Sequence, residues 1–310
     1  MSFTRFRSID YSYSVFYAQH FCISQWLKKF TTKNSRIKKH RGHKDKTLTI
    51  HYYIYLRANV AELNKTIKVG AVSYLNTKPL LYGWKHGYVI EGAEVIEAYP
   101  AMVAQMLLNN EIDIGLVPVA IIPKLKEHFI ISDYCIGAVG PVASVCIFSE
   151  VPIEKVERVL LDYQSRTSVR LAQVLLKEYW NVKPVLEGAS EDFRQHIIGT
   201  TAAVVIGDRA FEQRLQSTYV YDLAEAWIDL TGLPFVFAAW VANKPLPESF
   251  INQFNEANRI GLQHIDMVVR ENPYEFYDLK KYFTENISYD LNYEKRFGLQ
   301  LFLKKIKDII

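Results

Sequence analysis

Four polar segments of this sequence carry residue types able to hold a small anion, and each stands where an apolar run gives way to a turn or a helix. The first is Ser73-Tyr74-Leu75-Asn76-Thr77, which follows the β-rich residues 67–71 and opens an apolar helical segment reaching Trp84. Its amide and hydroxyl groups can line a cleft. Equally, Asn76 or Thr77 can cap the helix, with Pro79 tolerated in the first turn. The second, Asp162-Tyr163-Gln164-Ser165-Arg166-Thr167-Ser168, again joins strand to helix. Unpaired amides at a helix start favour an anion, the hydroxyls of Ser165, Thr167 and Ser168 add donors, and Arg166 can grip a carboxylate through two parallel hydrogen bonds. The same residues also suit an ordinary cap beside an exposed arginine. The third, Gly140-Pro141-Val142-Ala143-Ser144-Val145, enters an extended run; Ser144 is either a plain strand serine or a hinge residue whose backbone meets a ligand. The fourth spans residues 222–240 and holds a Thr231-Gly232-Leu233-Pro234 turn between a helical piece and an apolar strand, with aromatic residues that suit a core.

Other chemistries lose support. The sequence has no glycine-rich phosphate loop, no Gly-x-Ser-x-Gly elbow and no His-Glu-x-x-His pair. His86, His128, His196 and His264 stand alone, and Cys22, Cys135 and Cys146 are too scattered for a zinc site or a disulfide framework. No metal, nicotinamide or ATP chemistry is therefore expected, and the cysteine usage fits a reducing compartment.

These segments need elements to position them. Residues 67–71, 95–98 and 112–119 read as strands, separated by helical stretches in which Met102, Val103, Met106 and Leu107 recur at helical spacing. Alternation of this kind implies parallel pairing with right-handed crossovers. The order recurs further on, with strands at 156–162 and 202–206 around a helix at 165–180. The chain end is expected to be helical, with one stripe of Phe250, Phe254, Ala257, Gly261, Ile265 and Val268 and another over 299–306. Two extended crossings, near 144–148 and 235–240, then divide an α/β chain into two lobes. Lobe 1 combines residues 66–143 with 241–310, and lobe 2 is 144–240 with both crossings. Ligands in such folds sit between the lobes, at strand carboxyl ends and helix amino ends.

Composition agrees with a folded α/β protein: 49% of the 310 residues are hydrophobic and 23% charged. No apolar run reaches the roughly 18 residues of a membrane span. The formal charge of +4 conceals an asymmetry, because residues 1–65 hold 13 Lys and Arg against 3 Asp and Glu, while the rest is mildly acidic. That extension is expected to be a poorly structured, solvated basic segment, although its run from Lys33 to Arg41 suits an acidic surface or nucleic acid.

Taken together, Val72-Ser73-Tyr74-Leu75-Asn76-Thr77-Lys78-Pro79-Leu80, residues 112–118, 140–149, 165–169, 206–210 and 222–240, and Ile287-Ser288-Tyr289-Asp290-Leu291 resemble the chorismate dehydratases of the futalosine route to menaquinone. The likeness covers about residues 66–303. The resemblance implies a type II periplasmic-binding-protein-like fold working in the cytoplasm. It implies that water is removed from chorismate, giving 3-[(1-carboxyvinyl)oxy]benzoate, without metal or redox cofactor. The implied partner is the small-molecule substrate, with no nucleic acid and no stable membrane association. By motif position it places Asn76 at the reacting centre with Ser73 beside it. Ser144, Val145 and the Ser165, Arg166, Thr167, Ser168 helix start would hold substrate, joined by Thr231 and Gly232. One departure stands out: many relatives carry a Ser-Ser pair where this chain has Pro118-Val119. Two other readings share the fold, the sister enzyme 1,4-dihydroxy-6-naphthoate synthase and a non-enzymatic protein that binds small anions.

Overall fold

The computed structural model describes residues 66–191 and 193–307. The expectations for the basic extension and for Cys22 lie outside the described residues.

Two sheets organise the rest. The first holds β1 (Ile67–Val72), β2 (Ala93–Ala98), β3 (Ile114–Pro118), β4 (Phe129–Ala138), β10 (Phe235–Ala242) and β11 (Ser288–Asp290) in the order β11-β4-β10-β3-β1-β2. The second holds β5 (Val145–Ser149), β6 (Arg158–Leu161), β7 (Val185–Gly188), β8 (Thr201–Ile206) and β9 (Tyr219–Asp222) in the order β7-β6-β8-β5-β9. Parallel pairing runs through β2, β1 and β3 in one sheet and β7, β6 and β8 in the other. Every residue of β3 and of β5 is buried, the pattern of strands covered on both faces.

Helices fill the crossovers. They are α1 (Lys78–Lys85), α2 (Pro100–Leu108), α3 (Thr167–Glu178), α4 (Asp208–Arg214) and α5 (Leu223–Thr231). After β10 come α6 (Glu248–Gln263) and α7 (Ile265–Glu271), and α8 (Tyr293–Ile306) follows β11. Between α7 and β11, a helical turn at Leu279–Lys281 widens over Tyr282–Asn286. Helices α1 and α6 touch backbone to backbone: a Cβ on Gly261 would stand 1.7 Å from the Pro79 carbonyl oxygen. Only glycine allows that approach, which fixes α1 and the polar turn before it.

Several sequence expectations are corrected here. The strand at 235–240, grouped with the second lobe as a crossing, pairs throughout with β3 and β4 of the first sheet. Residues 145–148 likewise belong to β5, which pairs with β8 and β9. The chain instead passes between sheets through residues 139–144, where Ala143 takes φ 63°, and returns through residues 232–234. The strand expected over 112–119 spans Ile114–Pro118, and Val119–Lys124 winds into a tight helix instead. β4 and β11 were not expected at all. The aromatic residues of 222–240 do form core: Trp227, Phe235 and Trp240 are all fully buried.

Lys295 holds β11 in place. Fully buried, its ammonium donates to the Ser288 carbonyl at 2.8 Å, the Ser288 hydroxyl at 2.6 Å and the Asp290 carbonyl at 2.5 Å. Burial pulls its pKa below the usual lysine value. No helix of the described residues is long and apolar enough to cross a membrane.

Candidate functional site

A cleft partly open to solvent lies between the carboxyl ends of strands from the two sheets. Its apolar walls come from Val72, Pro118, Ile136, Val142, Ile206 and Phe237. Its polar lining comes from Asn76, Thr77, Ser144, Ser165, Thr167 and Ser168, with Arg166 and Tyr74 as the ionisable members. Among the described residues, no histidine, aspartate or glutamate lines it. Among the described residues no group of three or more His, Cys, Asp or Glu is placed to hold a metal ion.

On the first-sheet side, the end of β1 turns through one tight helical turn, Leu75–Thr77, into α1. Neither Asn76 nor Thr77 caps a helix amide with its side chain, so capping does not account for these residues. The Asn76 side chain instead accepts from the Thr77 hydroxyl at 3.2 Å. Tyr289 of β11 donates to the Asn76 carbonyl at 3.0 Å, fixing the backbone as well. The turn also reaches across the cleft. The Leu75 amide donates to Asp208 at 3.2 Å, and the Tyr74 phenol meets Gln164. The Tyr74 ring packs on Gly207, where φ is 65° and a Cβ would come within 2.8 Å of the ring. Burial raises the Asp208 carboxyl from 3.8 to about 6 and pushes the Tyr74 phenol above its ordinary range.

On the second-sheet side, α3 begins at the cleft. Ser165 does cap it, its hydroxyl accepting from the Ser168 amide at 3.1 Å. The Thr167 hydroxyl accepts from the Ala120 amide at 3.2 Å, a contact across the lobes. Ser165, Thr167 and Ser168 are all buried, while Arg166 is exposed at the rim. Behind them the fully buried Asp162 carboxylate accepts from the Gln164 and Ile206 amides and from Arg209 at 2.7 Å, so the strand ends of β6 and β8 are tied together. Ser144 sits at the crossing between sheets; its hydroxyl accepts from Tyr282 at 2.7 Å and its carbonyl from the Gly207 amide at 2.9 Å.

Seven of the residues named from sequence thus meet in one cleft: Asn76, Ser144, Val145, Ser165, Arg166, Thr167 and Ser168. Three do not. Ser73 is exposed outside the lining, its amide donating to the Ala98 carbonyl at 3.0 Å. Thr231 and Gly232 close the carboxyl end of α5: the Thr231 hydroxyl donates to the Trp227 carbonyl at 2.7 Å, and Gly232 takes φ 71°. They serve the turn rather than the cleft lining. Of the Pro118-Val119 departure, Pro118 supplies an apolar wall without a donor and Val119 is fully buried outside the lining. Sequence reasoning missed Tyr282 outright. Tyr289 lay within a flagged stretch, but nothing local shows that its phenol reaches Asn76.

The cleft can therefore hold a small, partly apolar anion, with carboxylates at hydroxyls and a helix start and hydrocarbon against aliphatic walls, and no His, Asp or Glu among the described lining residues. Comparison with known proteins points the same way. A family model described as menaquinone biosynthesis matches residues 67–308. A chorismate dehydratase of Thermus thermophilus is 28% identical over 261 residues, covering 77% of this chain and 94% of the relative. The fold is that of periplasmic binding proteins. A Candida albicans protein described as having that generic fold superposes with a TM-score of 0.56 at 13% identity, covering 79% of this chain and 90% of the other. A protein of Archaeoglobus fulgidus superposes with a TM-score of 0.64 at 14% identity, covering 79% and 98%.

Proposed function

The chain belongs to the menaquinone biosynthesis family, and from that premise we propose that it is a chorismate dehydratase, a carbon–oxygen lyase that converts chorismate to 3-[(1-carboxyvinyl)oxy]benzoate in the cytoplasm. The observation that carries this reading is the composition of the cleft. It offers placed hydrogen-bond donors for carboxylates yet, among the described residues, no His, Asp or Glu to act as a base. Dehydration of chorismate suits such a site, because the substrate brings a carboxylate of its own.

The reaction breaks the ring C–H bond beside the enol ether and the neighbouring C–O bond, and forms the last ring double bond. As the proton leaves, electron density spreads along the conjugated ring toward the ring carboxylate. Hydroxyls and amides at the start of α3 hold that carboxylate in a fixed polar setting, so the developing charge needs little reorganisation. The enolpyruvyl carboxylate takes the proton and passes it to the departing hydroxyl, which leaves as water. Asn76 cannot serve as the base, since a neutral amide barely accepts a proton. Its amide orients the leaving hydroxyl and holds it against the plane of the ring. Aliphatic walls line the rest of the same space.

The sister reaction, forming 1,4-dihydroxy-6-naphthoate, calls for a positioned protein base, and the described histidines stand outside the cleft lining. The test is to offer the purified protein chorismate and, separately, a cyclised futalosine derivative. Product from chorismate alone supports the proposal. Turnover of the futalosine derivative alone favours the sister enzyme, and chorismate bound but returned unchanged favours a binding protein.

A further inference from the structure

Strand β11 is a poor support by itself. It has three residues, stands at the edge of its sheet with β4, β10 and β3 between it and β1, and its register with β4 shifts between Ser288 and Asp290. Yet Tyr289, the residue at that irregularity, reaches back 213 positions to donate its phenol proton to the Asn76 main-chain carbonyl at 3.0 Å. Chemistry sets the direction of that bond, because a carbonyl oxygen can only accept. The tyrosine is buried, so water competes little for the contact. Asn76 lines the cleft, and its side chain springs from the residue whose carbonyl is held. A small shift of that main chain moves the amide relative to anything bound there.

What steadies β11 is Lys295 of α8. Its ammonium donates to the carbonyls of Ser288 and Asp290, which flank Tyr289 on either side, and to the Ser288 hydroxyl. Its stem lies against Gly137 of β4, where an added Cβ would stand 3.3 Å from the lysine Cδ and Cε. All three acceptors are neutral. A buried ammonium matched only by neutral acceptors stabilises a core less than an apolar side chain of the same length would. What it adds over methionine is three directed bonds on the two neighbours of Tyr289. The main chain at Asn76 is thus held by Tyr289, and Tyr289 is held by Lys295.

We propose that Tyr289, held by Lys295, is a positioning residue for dehydration: it fixes the main chain from which the Asn76 amide reaches the substrate. The inference rests on the chorismate reading and adds to it a support outside the cleft lining. In Tyr289→Phe the ring stays and only the hydroxyl is lost. The kcat should fall about threefold to tenfold, the order of one lost hydrogen bond, while KM changes less than about twofold. The Asn76→Ala background separates positioning from structure. The carbonyl is main chain and survives there, so Tyr289→Phe should lower Tm by a similar amount in both backgrounds. Its effect on kcat should shrink to less than about twofold in Asn76→Ala, because the amide being placed is gone. A wild-type kcat in Tyr289→Phe overturns the inference, and so does an equal fractional loss of kcat in both backgrounds. Lys295→Met keeps the stem and removes the ammonium, so it tests the same support from behind and serves if Tyr289→Phe does not fold. It too should lower kcat in the wild-type background and be silent in Asn76→Ala; a loss of equal size there sinks the proposal. A wild-type protein that yields no product from chorismate refutes the functional reading itself, a different failure from an active wild type with an equally active Tyr289→Phe.

Discussion

The two sides of the cleft are built on opposite plans. The start of α3 is capped locally: Ser165 accepts from the Ser168 amide three residues on, and the Asp162 carboxylate just upstream accepts from the Gln164 amide. The Asn76 turn borrows nearly everything. Its carbonyl is held by Tyr289 and the Leu75 amide beside it by Asp208, both from distant parts of the chain. A locally built helix start can hold a charge wherever it folds. An amide that must face one way at a reacting centre needs rigid neighbours from distant parts of the chain.

Substitutions can break or sharpen that contrast. The largest effect is expected for Asn76→Ala, which removes one oriented donor at the reacting centre and should lower kcat about 10²–10³-fold with the fold intact by circular dichroism. A variant with wild-type turnover would reduce Asn76 to part of the wall. On the other side, Ser168→Ala should raise KM for chorismate about threefold to tenfold and leave kcat and Tm nearly unchanged, since a single hydroxyl there contributes to binding alone. Steady-state kinetics decide it, and a loss confined to kcat would contradict the division of labour. Thr167→Val should behave differently from its neighbour. It strands the buried Ala120 amide that the Thr167 hydroxyl now accepts from, so Tm should fall by several degrees, measurable by calorimetry.

The smallest effect is a matter of pH. Burial raises the Asp208 carboxyl from 3.8 to about 6, so the folded state binds this proton more tightly than the unfolded chain does. Its stabilising contribution is present below about pH 4 and is lost as pH rises through about 6. Asp208→Asn can still accept from Leu75 yet carries no charge. It should flatten the dependence of Tm on pH between 4 and 7 and raise Tm by about 2–4 °C above pH 7. An unchanged profile would mean that the carboxylate is well solvated where it stands.

The same contrast explains what could be read in the sequence. Polar residues at the end of an apolar run are a local signal, so Asn76 and the 165–168 helix start were legible. So were the parallel strands and their helices, because periodicity is local too. Tyr282 was not, since it reaches Ser144 from 138 residues away and lies in a wide helical turn with no repeating pattern. β4 escaped notice because exposed and buried residues do not alternate along Phe129–Ala138, a strand paired on both sides near the sheet's edge. Thr231 and Gly232 misled for a related reason. A Thr-Gly turn looks the same in sequence whether it faces a ligand or ends a helix, and here it ends α5.

The central claim is that this cleft removes water from chorismate using groups of its own chain and of the substrate. The most direct measurement mixes the purified protein with chorismate in buffer containing EDTA, follows the rise of benzoate absorbance, and identifies the product by mass. The account predicts catalytic turnover to a product one water lighter than chorismate, strongly reduced in Asn76→Ala. Chorismate recovered unchanged under these conditions, or activity that returns only when a divalent ion is added, would contradict it.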